Sequence, residues 1–309
     1  MDIVVSFDSN YLMPVGVMLT SLFENNKGID INVHALLSSV GDYEQPVREI
    51  VEAYGGNLYC YDMSRVGLPD LPINKNHRAH LTIESFYRLF ITEVLPPNIE
   101  KVLWLDGDII VNKSLNDLWS EDISGYAVGA VPDYENNNVR ICNRLGYGVE
   151  YGYFNAGVLL INLQYWRANG VLYVFKEYIK EHFSDLWFFD QDVLNPVFHK
   201  NKKDLSISYN FQTTFLFKNL NISCCFFDEI RNAYIDPVII HFNEDKPWFS
   251  NSTNPMKMYF IKYQNMTIWK GKDKGRRKLS VRARLARFYS MYKAKSWSYT
   301  EALYNIDYL

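Results

Sequence analysis

Two aspartates interrupt an apolar run in the segment Lys101-Val-Leu-Trp-Leu-Asp106-Gly-Asp108-Ile-Ile-Val111. A carboxylate among buried residues needs a partner or a cation, because its charge is costly to remove from water. Residues i and i+2 of an extended chain point to the same side, so Asp106 and Asp108 can converge on one ion. Two hard oxygen ligands suit Mg2+ or Mn2+, with a diphosphate supplying further oxygens. The alternative is a turn that carries two solvated aspartates.

Strand and helix patterns alternate around the two aspartates. Short apolar runs predict strands over residues 2–7, 31–37, 57–61, 102–105, 126–131, 154–162 and 238–241. Helical spacing predicts helices over residues 13–23, 43–54, 83–94 and 166–182, and another from Asp190, whose carboxylate would cap it. This alternation predicts an α/β fold with a parallel or mostly parallel sheet. Ligands of such sheets bind beyond the carboxyl ends of the strands, where the two aspartates lie.

Length and composition are those of a globular protein. The 309 residues suffice for one large domain or two smaller ones, and 22% of them are charged. Neither a glycine-rich dinucleotide motif nor a P-loop motif occurs, so both chemistries are disfavoured. The four cysteines lack C-x-x-C spacing, which indicates reduced thiols in a cytoplasmic protein and no zinc site. We expect no secretory leader and no membrane span, since no apolar stretch reaches about 18 residues.

Charge is distributed unevenly along the chain. Residues 270–295 contain 11 lysines and arginines and one aspartate, a local charge of +10, whereas the whole chain carries −3. Residues 281–292 place apolar side chains at helical spacing with arginines opposite, which predicts a basic amphipathic helix. Such a helix suits an anionic membrane surface. A disordered basic tail and a helix docked on the acidic body are the alternatives. Nucleic acid is not expected as a partner, because no binding motif accompanies the charge.

Five short motifs carry a resemblance to a known family. They are Ser6-Phe-Asp8-Ser-Asn10-Tyr11, Leu105-Asp106-Gly107-Asp108, Phe154-Asn155-Ala-Gly157, Asp190-Gln191-Asp192, and His241 followed by Lys246-Pro247-Trp248. Together they resemble the family 8 glycosyltransferases, and among these the bacterial α-galactosyl- and α-glucosyltransferases that build lipopolysaccharide, lipooligosaccharide or related glycans. The likeness runs from residue 1 to about residue 250. It implies a GT-A type α/β fold, with a Rossmann-like mixed sheet flanked by helices, followed here by the basic amphipathic helical tail.

The resemblance also implies a metal-dependent, retaining reaction. A hexose, galactose or glucose, would pass from a UDP-sugar to a saccharide or glycolipid acceptor with α linkage. Mn2+, or Mg2+, would be held by Asp106, Asp108 and His241, since an imidazole can complete a shell of oxygen ligands. The alternative for His241 is a hydrogen-bonded core histidine. Lys246 would stabilise the charge that develops on the leaving diphosphate, or else is a surface lysine in a turn.

Further matched positions are implied to contact the donor. Uridine would meet Ser6, Asp8, Asn10 and Tyr11, with Asp8 bonded to the uracil ring and Tyr11 stacked on it. An Asx-turn and a core tyrosine are the alternatives there. The remaining positions implied around the donor are His80, Arg88, Asp106, Gly107, Asp133, Asn155 and Gly157. Arg88 could instead form an ordinary ion pair, and Asn155 and Gly157 could instead serve to form a turn.

Retention usually indicates a carboxylate nucleophile on the reverse face of the sugar. The family position there is Gln191, whose amide is a poor nucleophile, and Asp190 is the adjacent carboxylate. We therefore favour a front-face reaction, in which an oxygen of the leaving diphosphate helps to deprotonate the acceptor hydroxyl. The loop between His241 and Lys246, Phe-Asn-Glu-Asp, departs from the usual family pattern, which leaves its contact with phosphate open.

We expect a nucleotide-sugar-dependent domain over residues 1–269 and a membrane-associating tail over residues 270–309, on the inner face of the cell membrane. Two other functions fit part of the pattern. A sugar nucleotidyltransferase usually has a glycine-rich basic loop after the first strand, where this chain has Asp8-Ser-Asn-Tyr. A non-catalytic protein on a decayed fold is disfavoured, because the metal and phosphate positions are intact.

Overall fold

The computed structural model describes residues 1–41, 44–66, 83–216 and 220–277. The strands in these ranges are β1 (Asp2–Ser6), β2 (Asn32–Leu37), β3 (Asn57–Asp62), β4 (Lys101–Leu105), β5 (Ile109–Val111), β6 (Val128–Pro132), β7 (Phe154–Asn162), β8 (Lys202–Asp204), β9 (Phe211–Gln212) and β10 (Ile239–His241). The α-helices are α1 (Leu12–Asn25), α2 (Gln45–Ala53), α3 (Ile91–Val94), α4 (Asn116–Ser120), α5 (Val139–Arg144), α6 (Leu163–Ala168), α7 (Val171–His182), α8 (Asp190–Phe198), α9 (Phe227–Ile235) and α10 (Lys257–Gln264).

Seven strands form the central sheet, in the order β3-β2-β1-β4-β7-β6-β8. The strands from β3 to β4 are parallel to one another, and β8 is parallel to β6. Strand β7 is antiparallel to both of its neighbours, β4 and β6. The α/β class is thus confirmed, with a mixed sheet.

Helices cover both faces of this sheet, as the alternation along β1 requires. Ile3 and Val5 point into one apolar cluster, which includes the buried side chains of α1 and α2 and two of α10. Val4 points into the other, which contains residues of the turn Ile83–Phe90 and of α6, α7 and α8. Successive side chains of a strand point to opposite faces. One strand therefore contributes to two cores, and the sheet is fixed between two helical layers.

A second sheet of three strands lies beside the first, in the order β5-β10-β9. Strand β10 runs antiparallel to β5 and parallel to β9. Only Asp106, Gly107 and Asp108 separate β4 of the large sheet from β5 of the small one. The aspartate pair is therefore the junction between the two sheets, and both strands hold it in place.

Two predicted helices differ from the structure. The segment predicted as a helix over 83–94 is a 3-10 helix from Ile83 to Phe90, and α3 follows it. The helix predicted over 166–182 is divided into α6 and α7, because Gly170 has a φ of 58° and ends the regular repeat. The basic amphipathic helix predicted over 281–292 lies outside the described residues and stays a prediction.

Candidate active site

The Asp106-Gly107-Asp108 segment is held by main-chain hydrogen bonds at both ends. The N–H of Asp106 donates to Gly157 O (2.9 Å), and Asp108 O accepts from the N–H of Phe242 (2.9 Å). A Cβ at Gly107 would lie 2.6 Å from a methyl carbon of Val15 in α1, so this position must lack a side chain. The two carboxylates leave the chain at the junction of the sheets, on the carboxyl side of β4.

Asp106 belongs to a network centred on Arg88. Its Oδ1 accepts from Arg88 Nη2 and from the indole Nε1 of Trp104, each at 2.8 Å. The guanidinium stacks over the Trp104 ring at 4.4 Å and also donates to Ala156 O. Arg88 Nε lies 2.8 Å from Asp190 Oδ2. Arg88 is buried, and it links the aspartate pair to the first residue of α8.

Asp108 is buried between two nitrogen-bearing side chains. His241 Nε2 lies 3.3 Å from its Oδ1, and the ammonium of Lys246 donates to its Oδ2 and to Phe242 O. Burial opposes ionisation, but Lys246 and His241 outweigh it and hold the pKa of Asp108 well below its usual range. Asp108 is therefore an anion whose charge the protein itself compensates.

A chain of amides orients the ring of His241. The N–H of Gly157 donates to Asn155 Oδ1 (2.9 Å), which identifies that atom as an acceptor. Asn210 Nδ2 donates to the same oxygen (2.8 Å), so Asn210 Oδ1 is the atom 3.0 Å from His241 Nδ1. His241 consequently donates from Nδ1, and Nε2 faces Asp108. A Cβ at Gly157 would lie 2.3 Å from His241 Cε1, so only glycine fits beside this ring.

The resulting geometry fits a divalent metal. Asp106, Asp108 and His241 each offer one ligand atom, and these atoms lie within 4.8 Å of one another. A metal ion would take the place of the proton on His241 Nε2, so that the imidazole, still donating from Nδ1, could bind the ion through Nε2 beside the Asp108 carboxylate. Two carboxylates and one imidazole form a donor set that suits Mn2+ or Mg2+.

Buried polar residues form the side of the cluster next to α8. Asp133 Oδ2 accepts from Asn155 Nδ2 (2.9 Å) and from Gln191 Nε2 (3.3 Å), and its Oδ1 accepts from the N–H of Glu135 (2.9 Å). Burial nevertheless raises the pKa of Asp133 to about 6. Gln191 Oε1 accepts from the N–H of Ala156 (2.9 Å). The amide of Gln191 is therefore oriented by groups on both sides.

Asp190 is the first residue of α8, not its cap. Phe189, with a φ of 45°, precedes the helix, and no side chain in the described part of the protein caps it, so the predicted capping role of Asp190 is wrong. The carboxylate turns instead toward Arg88, whose Nε donates to Ser85 O. Within the described residues, Asp190 Oδ2 is buried and receives no aligned hydrogen bond. Burial raises the pKa of Asp190 to about 7, against the opposing charge of Arg88.

Asp192 anchors the start of α8. It is fully buried and accepts hydrogen bonds from the hydroxyl of Tyr153 (2.7 Å), from Arg144 Nη1 (2.9 Å) and from the N–H groups of Trp187 (2.6 Å) and Phe188 (2.9 Å). These donors fix the turn that leads into the helix. The orientation of Asp190 and Gln191 depends on this anchor, since they are the first two residues of the same helix.

The loop after β1 forms a separate edge of the cluster. The side chain of Asp8 accepts from the N–H of Tyr11 (2.9 Å) and from Asn10 Nδ2 (2.7 Å). The same N–H also donates to Asp8 O (3.0 Å), so residues 8–11 form a β-turn that the Asp8 carboxylate reinforces, and not an Asx-turn. The Tyr11 ring is partly exposed and contacts Trp248 edge-on, with centroids 5.7 Å apart. Ser6 Oγ donates to Glu84 O (3.1 Å). Trp248 follows Lys246 by two residues, so this loop adjoins the aspartate pair.

The structure gathers most of the predicted site residues into one cluster. Arg88, Asp106, Asp108, Asp133, Asn155, Gly157, Asp190, Gln191, His241 and Lys246 are joined by the contacts above, and Gly107 lies among them. Ser6, Asp8, Asn10 and Tyr11 lie at its edge. His80 falls outside the described residues.

Sequence reasoning missed Asn210 and Trp104. Asn210 is fully buried and lies far along the chain from both of its partners. No spacing pattern marks it, because the amide chain exists only after the two sheets have packed. Trp104 carried a weak signal, since it lies two residues before Asp106 and alternation places both on one side of the chain.

Comparison with known proteins identifies the family to which this arrangement belongs. The model of glycosyl transferase family 8 matches residues 2–252. The chain belongs to this family. It is thus a glycosyltransferase with a GT-A type fold, as the motifs around the aspartate pair predict.

Curated proteins to which the chain is similar include two lipopolysaccharide transferases. The chain is 26% identical over 280 residues to general stress protein A of Bacillus subtilis, covering 87% of this chain and 94% of that protein. It is 27% identical to lipopolysaccharide 1,3-galactosyltransferase of Salmonella typhimurium, over 87% of this chain and 79% of the relative. It is 26% identical to lipopolysaccharide 1,2-glucosyltransferase of Escherichia coli, over 85% and 77%.

Solved structures share the fold. The galactosyltransferase LgtC, crystallised with donor and acceptor sugar analogues, superposes with a TM-score of 0.75 at 24% identity, over 92% of this chain and 99% of that one. Among the described residues, no helix is both long and apolar enough to cross a membrane.

Proposed function

We propose that this glycosyltransferase moves a hexose, galactose or glucose, from a UDP-sugar to a saccharide or glycolipid acceptor, with retention and an α linkage. The observation that carries the proposal is the convergence of Asp106, Asp108 and His241 at one point, with Lys246 beside them. Arg88 connects this point to the buried side chain of Asp190. A metal-diphosphate site and a sugar site therefore lie on either side of one guanidinium.

The metal side of the cluster is suited to a diphosphate. Mn2+, or Mg2+, bound by Asp106, Asp108 and His241 would act as a Lewis acid that neutralises charge on the diphosphate. Lys246 compensates Asp108 in this structure. With a metal ion held at Asp108, the Lys246 ammonium would be available to the leaving diphosphate, where it would stabilise the charge that develops as the bond between sugar and phosphate breaks.

The sugar side of the cluster supports a front-face reaction. A double displacement needs a free carboxylate on the reverse face of the sugar. The side-chain amide of Gln191 accepts a hydrogen bond from Ala156 N–H and donates one to Asp133. The carboxylate of Asp190 forms an ion pair with Arg88. Asp133, Asn155, Asp190 and Gln191 offer hydrogen-bonding atoms that suit sugar hydroxyls. The acceptor hydroxyl would lose its proton to an oxygen of the leaving diphosphate.

This mechanism can be tested with a slow donor. UDP-2-deoxy-2-fluorogalactose and its glucose analogue should leave the protein mass unchanged in intact-protein mass spectrometry. A glycosyl adduct on Asp190 or Gln191 that turns over at a competent rate would overturn the front-face route.

The acceptor is proposed to be bound to or near a membrane. The two lipopolysaccharide transferases to which the chain is similar support a glycolipid acceptor. The charge of +10 over residues 270–295 supports attachment to an anionic surface, since each basic residue near such a surface contributes about 1 kcal/mol. The proposal places the enzyme in the cytoplasm, peripheral to the inner face of the cell membrane, with a transferase domain over 1–269 and a membrane-associating tail over 270–309. The first residues of that tail, 270–277, lie against the transferase domain, so the membrane contact is assigned to the residues after 277.

The nucleotide and metal requirements predict a coupled thermal shift. UDP at a hundredfold excess over its Kd should stabilise the protein by about 2.7 kcal/mol in the presence of Mn2+, and by much less in EDTA. Asp108→Asn should abolish the metal-dependent part, because it removes a charged ligand. Differential scanning fluorimetry measures both effects.

The matched control is Asp228→Asn, which removes an exposed carboxylate that pairs with Arg231 and not with any residue of the cluster, and it should respond as the wild type does. No response of the wild-type protein to UDP would contradict the proposed function. Incubation with a panel of UDP-sugars, with UDP release as the readout, then distinguishes galactose from glucose as the donor sugar.

A further inference from the structure

The segment after α10, residues 269–277, packs back onto the body of the protein; we call it the C-terminal strap. It lies beyond residues 2–252, which the family model matches. The Trp269 ring lies directly on Gly16 of α1, where a Cβ would be 2.2 Å from its Cζ3 atom. Gln264 Nε2 donates to Lys272 O (2.6 Å). The strap is thus fixed at its start by packing and by a buried amide.

Main-chain hydrogen bonds then join the strap to the loop that carries Lys246. The N–H of Lys274 donates to Trp248 O (2.9 Å). The N–H of Ser250 donates to Gly275 O (3.0 Å). Two bonds of opposite direction around Trp248 set the position of the Lys274 backbone relative to this loop.

The side chain of Lys274 extends to the other edge of the cluster. Its ammonium donates to Asn10 O, in the turn that Asp8 closes after β1. It also lies close enough to Asp8 for the two charges to attract each other. One residue therefore joins the two loops whose aromatic side chains, Tyr11 and Trp248, already touch.

We propose that Lys274 is a positioning residue of the nucleotide site, which holds the turn of Asp8 to Tyr11 at a fixed distance from the Trp248 loop. This inference rests on the proposed function, since it assumes that UDP lies between these loops. A loop ordered in advance does not have to be ordered by the ligand, so binding costs less conformational entropy. Lys274 acts on UDP affinity and leaves the metal ligands untouched.

The test compares UDP and metal binding in Lys274→Met, which keeps the length of the side chain and removes the ammonium. UDP binding in the presence of saturating Mn2+ should weaken about fivefold by calorimetry. Mn2+ binding without nucleotide, measured by electron paramagnetic resonance, should change less than twofold. The donor KM should rise with little change in kcat, and Lys274→Arg should recover most of the affinity.

Lys270→Met is the matched control, because it removes the same charge from the same strap at an exposed side chain. It should bind UDP as the wild type does. Equal UDP affinity in wild type and Lys274→Met overturns the inference and leaves the proposed function standing. Equal loss in Lys270→Met, or parallel loss of Mn2+ binding, shows a charge or folding effect and also overturns it. A wild-type protein that does not bind UDP overturns both.

Discussion

Asp133 and Asp190 are buried carboxylates with opposite surroundings. Three donors surround Asp133, whereas one oxygen of Asp190 receives no aligned hydrogen bond within the described residues. Burial raises both pKa values, to about 6 and about 7, because a charged form loses its hydration. Under the proposed function both carboxylates accept from sugar hydroxyls, and at Asp190 a hydroxyl supplies the donor that the described residues do not provide.

The raised pKa of Asp133 makes a prediction about stability. The folded protein holds this proton up to about pH 6, whereas the unfolded chain releases it near pH 4. The contribution to stability is therefore complete below about pH 4 and is lost as the pH rises to about 6. The unfolding free energy of the wild type minus that of Asp133→Asn should be about 2 kcal/mol larger at pH 4 than at pH 7, by urea denaturation.

The pH dependence of stability is the readout, because the absolute stability of Asp133→Asn also changes for another reason. The new NH2 group of the asparagine faces N–H groups that donate to the carboxylate in the wild type. Asp228→Asn, at an exposed carboxylate, should show no such difference. A wild-type to Asp133→Asn difference that is the same at both pH values would mean that folding does not raise the pKa of Asp133.

At the scale of the elements, the periodic spacing of apolar residues predicted which segments are helical. It did not predict where a helix is interrupted. The apolar spacing continues through the junction of α6 and α7, and only Gly170 interrupts it, with a left-handed backbone. The segment Ile83–Phe90 has the apolar spacing of an α-helix, yet it forms a 3-10 helix. This 3-10 helix contains Arg88, whose guanidinium donates to Asp106 and to Ala156 O. Contacts across the fold decide such local choices.

The break at Gly170 predicts a backbone cost. The added Cβ of alanine would meet no atom of the described residues within 4 Å, but the residue must adopt a φ of 58°, so Gly170→Ala should destabilise the fold by about 1 kcal/mol. Gly125→Ala is the control, since Gly125 is equally open and its φ lies outside the left-handed range. It should change the unfolding free energy by less than about 0.5 kcal/mol. Chemical denaturation of both variants measures the difference, and equal effects would contradict the backbone explanation.

At the scale of the whole molecule, the candidate site lies where two sheets meet. Asp106 follows a strand of the large sheet, and His241 ends a strand of the small one. The C-terminal strap contacts the two loops beside this site, the one after β1 and the one that contains Trp248. Residues 278–309 follow the strap directly in the chain. Nucleotide binding and membrane attachment are therefore proposed to use adjoining parts of the chain.

This arrangement predicts that two truncations differ. A chain ending at residue 277 keeps the strap and should bind UDP as the full chain does, while losing affinity for vesicles that contain anionic lipid. A chain ending at residue 269 also loses Lys274, so its UDP affinity should fall at least as far as that of Lys274→Met. Vesicle sedimentation and calorimetry measure the two properties. Unchanged vesicle binding after either truncation would remove the proposed role of the tail.

The amino-acid sequence by itself determined the α/β class, the family and the residues that gather around the aspartate pair. These follow from local information: the strand pattern of β1 and β4, the i, i+2 spacing of the carboxylates, and five short motifs in order. The membrane tail and the role of each site residue remain predictions of the same kind.

Only the tertiary structure decided how those residues are held. Arg88 between Asp106 and Asp190, Asn210 behind His241, and Lys274 across two loops all join segments that are distant in the chain. Hydrogen bonds of this kind have no sequence period, because their geometry exists only when separate elements pack against each other. Local motifs therefore specify which chemical groups the cluster contains. Contacts between distant segments specify how those side chains are oriented.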